Sequence, residues 1–152
     1  MIALTGEERG YLAAFLDGEG EVSANIQTCG VKFNNTNMGA LKWIHSKLKL
    51  GRITPTRKTL LSTKHKRCYA VMVFGNEAKM VLQELLPCLI IKKKQAELVL
   101  SYPFNITRKH NTVSIKQRRR EIIRELRILN KRGISPLDIE PMTIEPQLTM
   151  FS

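Results

Sequence analysis

Asp17 and Glu19 stand one residue apart in the run Tyr11-Leu12-Ala13-Ala14-Phe15-Leu16-Asp17-Gly18-Glu19-Gly20, separated and followed by glycine. Carboxylates are hard oxygen donors suited to Mg²⁺ or Ca²⁺. Here they are expected just past the end of an apolar helical segment. Small residues in that segment let a second helix approach closely, because no long side chain holds the two axes apart. The run therefore offers a packing surface with an acidic tip beside it. If two copies met, two acidic tips would meet with them.

The rest of the chain is strongly basic. Of its 152 residues, 25 are Lys or Arg and 13 are Asp or Glu, a formal net charge of +12. A field of that sign concentrates polyanions, and neutralising phosphates releases counterions that supply much of the affinity for nucleic acid. The same charge also suits a sticky or merely soluble surface. Hydrophobic residues make up 43% of the chain, ordinary for a globular protein with a sizeable core. No apolar run reaches the length of a membrane span, and no secretory signal is legible. Cys29, Cys68 and Cys88 form no CxxC pair and no zinc pattern with His45, His65 and His110. They read as reduced thiols of an intracellular protein.

The elements that must position the acids follow from capping signals and periodicity. Thr5 with Glu8 makes a capping box opening a helix near residues 6–17. After Gly20 the period changes to two. Glu21, Ser23, Asn25 and Gln27 alternate with Val22, Ala24 and Ile26, which predicts a strand, a turn at Thr28-Cys29-Gly30 and a return strand bearing Lys32, Asn34 and Thr36. Asn37 caps a helix stopped at Gly51. Arg52–Arg57 reads as a third strand, confined to an edge by Pro55, and Arg67–Phe74 as a fourth. Asn76 would cap the next helix, Ile91–Tyr102 forms another, and Ser114 with Gln117 opens the last, which Gly133 ends. The tail from Ile134 reads as extended. One leading helix and two ββα units make an α+β fold, with a four-stranded antiparallel sheet, helices on one face and the other face open. The chain reads as a single domain over 1–152, with its core in 5–102 and a C-terminal helical extension with the tail in 103–152.

The segment Leu12–Gly20 resembles the signature of the LAGLIDADG homing endonucleases, and the αββαββα order matches that family's saddle-shaped core. Ala14 stands where the usual second small residue is glycine, and Glu19 where the commoner acid is Asp. A single copy of the motif resembles the homodimeric branch of the family. The resemblance implies a homodimer that binds a long, pseudo-palindromic double-stranded DNA site and cuts both strands with Mg²⁺, in the service of intron mobility. Mn²⁺ would substitute, and Ca²⁺ would support binding without cleavage. An RNA maturase or a non-catalytic DNA-binding regulator on the same fold is the competing reading. Such genes resemble ones carried in introns of organelles, archaea and bacteria, so an organellar or prokaryotic cytoplasmic setting is expected.

Residue by residue, the resemblance makes Glu19 the metal-binding carboxylate with the Gly18 carbonyl beside it. Leu12, Ala13, Ala14, Leu16 and Asp17 become the dimer interface, with Asp17 ordering the helix end. Lys92, in Pro87–Ala96, falls on the family's catalytic-pocket lysine. Its bland reading is a solvated lysine at a helix start, a place that disfavours cations. Asn37 falls where relatives often carry a water-orienting Gln, and is equally a helix cap. The aligned place of a second basic pocket residue lies near Leu41 and Lys42. The DNA-reading set is Ser23, Asn25, Gln27, Lys32, Asn34, Thr36, Arg52, Thr54, Thr56, Arg67 and Tyr69. Amides can pair with adenine and basic side chains with guanine in the major groove. Lys58, Lys64, Lys66, Lys109, Arg118 and Arg119 read as backbone contacts.

Overall fold

The Thr5 hydroxyl accepts from the Glu8 N–H at 3.1 Å, and the Glu8 carboxylate accepts from the Thr5 N–H at 3.0 Å. That capping box opens α1 (Gly6–Glu19). The computed structural model describes residues 2–56, 66–104 and 113–131. The remaining elements are β1 (Gly20–Ala24), β2 (Cys29–Asn35), α2 (Met38–Leu48), β3 (Arg52–Pro55), β4 (Tyr69–Phe74), α3 (Gly75–Leu85), α4 (Lys93–Leu100) and α5 (Val113–Leu129). A short 3₁₀ turn, Leu86–Cys88, follows α3. The predicted αββαββα order is thus observed. Lys58, Lys64, Lys109, Gly133 and the tail from Ile134 lie outside the described residues.

α1 continues past its expected end, so Asp17 and Glu19 belong to its last turn rather than to a loop beyond it. The Gly20 N–H still donates to the Leu16 carbonyl, and β1 begins at Gly20 itself. Only glycine fits so abrupt a helix-to-strand change, because a Cβ there would lie 2.7 Å from the Leu16 carbonyl oxygen. Gly20→Ala should therefore lower stability by about 1–3 kcal/mol through overpacking. Chemical denaturation followed by circular dichroism measures it, and an unchanged midpoint would refute the crowding.

The sheet order is β1-β2-β4-β3, all neighbours antiparallel, which puts Pro55 on an edge strand as expected. One face carries Val22, Val31, Phe33, Val71 and Val73 into a core shared with Leu12 and Leu16 of α1, Leu41 and Ile44 of α2, and Val81 and Leu82 of α3. Ala96 and Val99 of α4 and Ile122 and Leu126 of α5 join the same core. The opposite face carries the row Glu21–Lys32–Met72–Arg52, read straight across the register.

Local chemistry moved three predicted boundaries. The first hairpin turns at Asn25–Thr28, not at Thr28-Cys29-Gly30. The Asn25 side-chain oxygen accepts from the N–H groups of Gln27 and Thr28 at 2.8 and 2.9 Å, an Asx turn that stops the strand early. α3 starts at Gly75, whose positive φ of 64° makes the corner, so Asn76 lies inside the helix and Phe74 holds the cap position. α5 already includes Val113, so Ser114 sits within it. Asn37 caps α2 as expected, accepting from Ala40 N–H at 3.1 Å. All three cysteines are free, and burial pushes the Cys29 thiol up to about 11.

Candidate functional site

α1 is anchored along its length before its acidic end is reached. Arg9 pairs with Glu84 of α3, and Lys47 of α2 reaches Glu8 at 2.6 Å. At the C-terminal end, Asp17 turns back into its own chain. Its carboxylate accepts from the backbone N–H groups of Ile90 and Ile91 at 2.9 and 3.2 Å, and from that of Lys92 at 2.9 Å. The Lys92 ammonium in turn donates to the Asp17 carbonyl oxygen. One residue of α1 thereby fixes the whole entry to α4.

Asp17 thus has the ordering role expected of it, tied to the 90–92 segment of its own chain. Lys92 occupies the cap position of α4, but its ammonium is not left at that helix's positive end. It points to the C-terminal end of α1, where unpaired carbonyls favour a cation. Burial pushes the Lys92 pKa down, while the charges of Asp17 and Glu19 pull it back up. Glu19 thus acts electrostatically on Lys92, with its own side chain exposed. The Glu19 carbonyl accepts from the Asn34 side-chain amide at 3.2 Å, which ties the acidic tip to the sheet.

Leu12, Ala13 and Leu16 have no exposed surface and belong to the chain's own core, so they are corrected from the interface set. The outward face of α1 carries Glu7 and Tyr11, the latter 51% exposed, and then Ala14 and Gly18, four residues apart on one stripe with Gly10. A Cβ at Gly10 or Gly18 would meet nothing within 4 Å. The spacing Gly10-Ala14-Gly18 is legible in the sequence, because residues four apart share a helix face. Ile90 and Ile91 are also exposed, beside the Asp17 end of the helix.

On the sheet's open face stand Ser23, Lys32, Asn34, Arg52 and Thr54 of the proposed reading set. Thr56 continues their row through its N–H to the Cys68 carbonyl at 2.9 Å. Glu21 shares that face and pairs with Lys32 at 3.3 Å. Tyr69 is corrected: it lies opposite Asn35 and Pro55 in the helix-facing alternation with Val71, and packs on the core. Asn25 and Gln27 belong to the hairpin turn, while Thr36 and Arg67 are exposed beyond the ends of β2 and β4. Asn37 spends its side-chain oxygen on the α2 cap. Leu41, at the expected second basic position, is fully buried, and Lys42 is exposed on the next face.

Among the described residues no group of three or more His, Cys, Asp or Glu could hold a metal ion within one chain. Mg²⁺, however, is commonly held by one or two carboxylates plus substrate phosphates. The Glu19 carboxylate, at a carbonyl-rich helix end, fits such an arrangement. Among the described residues no helix is long and apolar enough to cross a membrane.

No protein-family model and no curated protein matches the chain. Solved structures do. A crystal structure of the homing endonuclease I-CvuI in complex with its target, in the presence of Ca, is 21% identical with a TM-score of 0.65, over 84% of both chains. A second I-CvuI complex, with the I-CreI target in the presence of Mg and with the DNA not cleaved, is 19% identical with a TM-score of 0.66, over 87% of this chain and 89% of that one. The archaeal intron-encoded homing endonuclease I-Vdi141I complexed with DNA is 19% identical with a TM-score of 0.62, over 86% and 88%. The chain has the homing-endonuclease fold. Within that fold, Asp17, Glu19 and Lys92 converge where α1 meets the sheet.

Proposed function

We propose that this chain is a homodimeric, Mg²⁺-dependent DNA endonuclease of the single-motif LAGLIDADG type, cutting both strands of a long, pseudo-palindromic duplex. The observation that carries the reading is the Asp17 tie. It brings the Lys92 ammonium to the Glu19 end of a helix whose outer stripe, past Glu7 and Tyr11, carries only the small residues Gly10, Ala14 and Gly18. Mg²⁺ held by Glu19, the Gly18 carbonyl and substrate phosphates would activate water and offset charge on the attacked phosphate. Lys92 stabilises charge developing on the phosphate, acting from a partly desolvated position. The open sheet face lays Lys32, Asn34, Arg52 and Thr54 along the groove, and Asn37, whose side-chain oxygen caps α2, would orient water through the rest of its amide.

The stripe Gly10-Ala14-Gly18 supports pairing of two α1 helices, which would bring one Glu19 from each chain to each other's vicinity. Ala14→Leu places a branched side chain in the middle of that stripe. It should shift the protein to monomer in sedimentation and abolish double-strand cutting together. A stable monomer that still cuts both strands would sink the dimeric reading. The function itself is tested with Mg²⁺ and plasmid DNA carrying the intronless locus that the gene interrupts. Linearised plasmid supports the nuclease. Tight duplex binding without any strand scission would instead favour the regulator, and splicing enhancement without scission the maturase.

A further inference from the structure

α5 lies along the free edge of β1. The Asn130 side-chain amide, just past its last turn, donates to the Val22 carbonyl at 3.0 Å. The Arg119 guanidinium donates to the Ile26 carbonyl at 3.1 Å and to the Pro103 carbonyl at 3.0 Å. Arg119 is only 6% exposed and stacks over Tyr102, whose hydroxyl donates to the Asn25 carbonyl at 2.8 Å. It is a strut for the first hairpin and not the backbone contact expected of it. Arg118 faces the other way, pairs with Glu121, and lines a cavity with Glu97 and Leu98 of α4.

These contacts orient the helix. At about 100° per residue, Arg118 and Glu125 turn to α4 in the helical layer, Ile122 and Leu126 to the core, and Arg119 and Asn130 to the β1 edge. Continuing in the same direction past that edge come Lys116, Arg120, Arg124, Arg127 and Lys131. All five are exposed, spaced by three or four residues, and make no ion pair with a described residue. The stripe is roughly 22 Å long at the helical rise. It stands at the side of the sheet's open face and is interrupted by no acid.

We infer that this stripe is a phosphate-binding wall, extending the DNA cradle beyond the β1 edge and gripping the backbone of the duplex regardless of sequence. The inference rests on the DNA-binding reading above. A duplex carries one charge per about 1.7 Å of axis, so five cations in a line match a continuous backbone rather than one isolated anion. A contact of this kind adds affinity and salt sensitivity without adding base preference.

The test uses the full chain, a 40-base-pair duplex of arbitrary sequence, and single- and double-stranded RNA of equal length. The variant Arg120→Gln/Arg124→Gln/Arg127→Gln should bind the duplex about tenfold or more weakly at physiological salt, with a salt slope shallower by about 3 per chain. The loss should be equal on unrelated duplex sequences. Replacing the same three residues by Lys should restore binding, since a point charge suffices for phosphate, and matched unfolding midpoints exclude a folding defect. Lys32→Gln/Arg52→Gln reports separately on the open face. If that variant weakens duplex binding and the stripe variant does not, the stripe inference is overturned and the functional reading stands. If the wild type binds no duplex, both fall. A loss confined to RNA overturns the wall as a DNA surface.

Discussion

Glu19→Gln is expected to reduce Mg²⁺-dependent cleavage by on the order of 10³-fold, the scale of losing an electrostatic stabiliser of the transition state, while duplex binding persists. Gln keeps the shape of the side chain, and the fold does not depend on it: the Glu19 side chain is exposed, and Asn34 holds its backbone carbonyl instead. What changes is charge. A neutral amide is a poor Mg²⁺ donor, yet it repels phosphate less than a carboxylate does. Binding without metal should therefore be equal or tighter, and the gain in affinity on adding a divalent ion should shrink. Cleavage assays and equilibrium binding with and without Mg²⁺ measure both. Wild-type cutting by the variant would remove Glu19 from the mechanism.

The same result would bear on why one chain carries so spare a site. Asp17 is occupied by three backbone amides, and no metal-binding cluster of side chains occurs among the described residues. A single exposed carboxylate is a weak metal ligand alone. Placed at a helix end, with an outward stripe that carries no long aliphatic side chain, it would supply one half of a shared site on the proposed dimeric reading. One helix would then specify both the pairing and the chemistry.

Much of this is legible in the sequence. Element order, the capping box, the Asn37 cap and the edge position of Pro55 all follow from local rules, in which a few neighbouring side chains decide the backbone. The open face was legible in part, because alternation assigned Lys32, Asn34, Arg52 and Thr54 to it correctly. It failed where local hydrogen bonding ended a strand, at Asn25, whereas at Tyr69 the alternation with Val71 and Val73 itself pointed to the core. Burial on α1 was missed for a different reason. A helix packed on one side and bare on the other has two faces of small or apolar residues, and composition does not say which is which. Leu12, Ala13 and Leu16 serve the first, Ala14 and Gly18 the second. The partner of Asp17 lies more than seventy residues away, and only tertiary structure reveals it. Arg119 did leave a trace, since Ile115, Ile122 and Leu126 place it on the apolar stripe of its helix.

Asp17→Ala should lower stability and cleavage together, because it removes a structural anchor and releases the Lys92 ammonium from the end of α1. The three amides of residues 90–92 lose a charged acceptor. Hydrogen bonds to charged groups contribute about 1.5–3 kcal/mol each when shielded, but two of these three are exposed and water replaces them in part. A total loss of about 2–3 kcal/mol is expected on that basis. Asn at the same position keeps one acceptor oxygen and should fall between Ala and wild type. Lys92→Met separates the two roles. It leaves the Asp17 carboxylate with its three amides and removes a half-buried ammonium whose burial opposes its charge. Its unfolding midpoint should therefore stay within about 1 kcal/mol of wild type while cleavage falls by about 10²-fold. If Asp17→Ala lost stability but kept full cleavage at temperatures where it is folded, the tie would be structural only, and Lys92 would reach the site without it. If instead Asp17→Ala and Lys92→Met cut equally poorly, and the double variant no worse, the two act through one interaction. That non-additivity is the expected result, since neighbours in one hydrogen-bonded unit do not contribute independently.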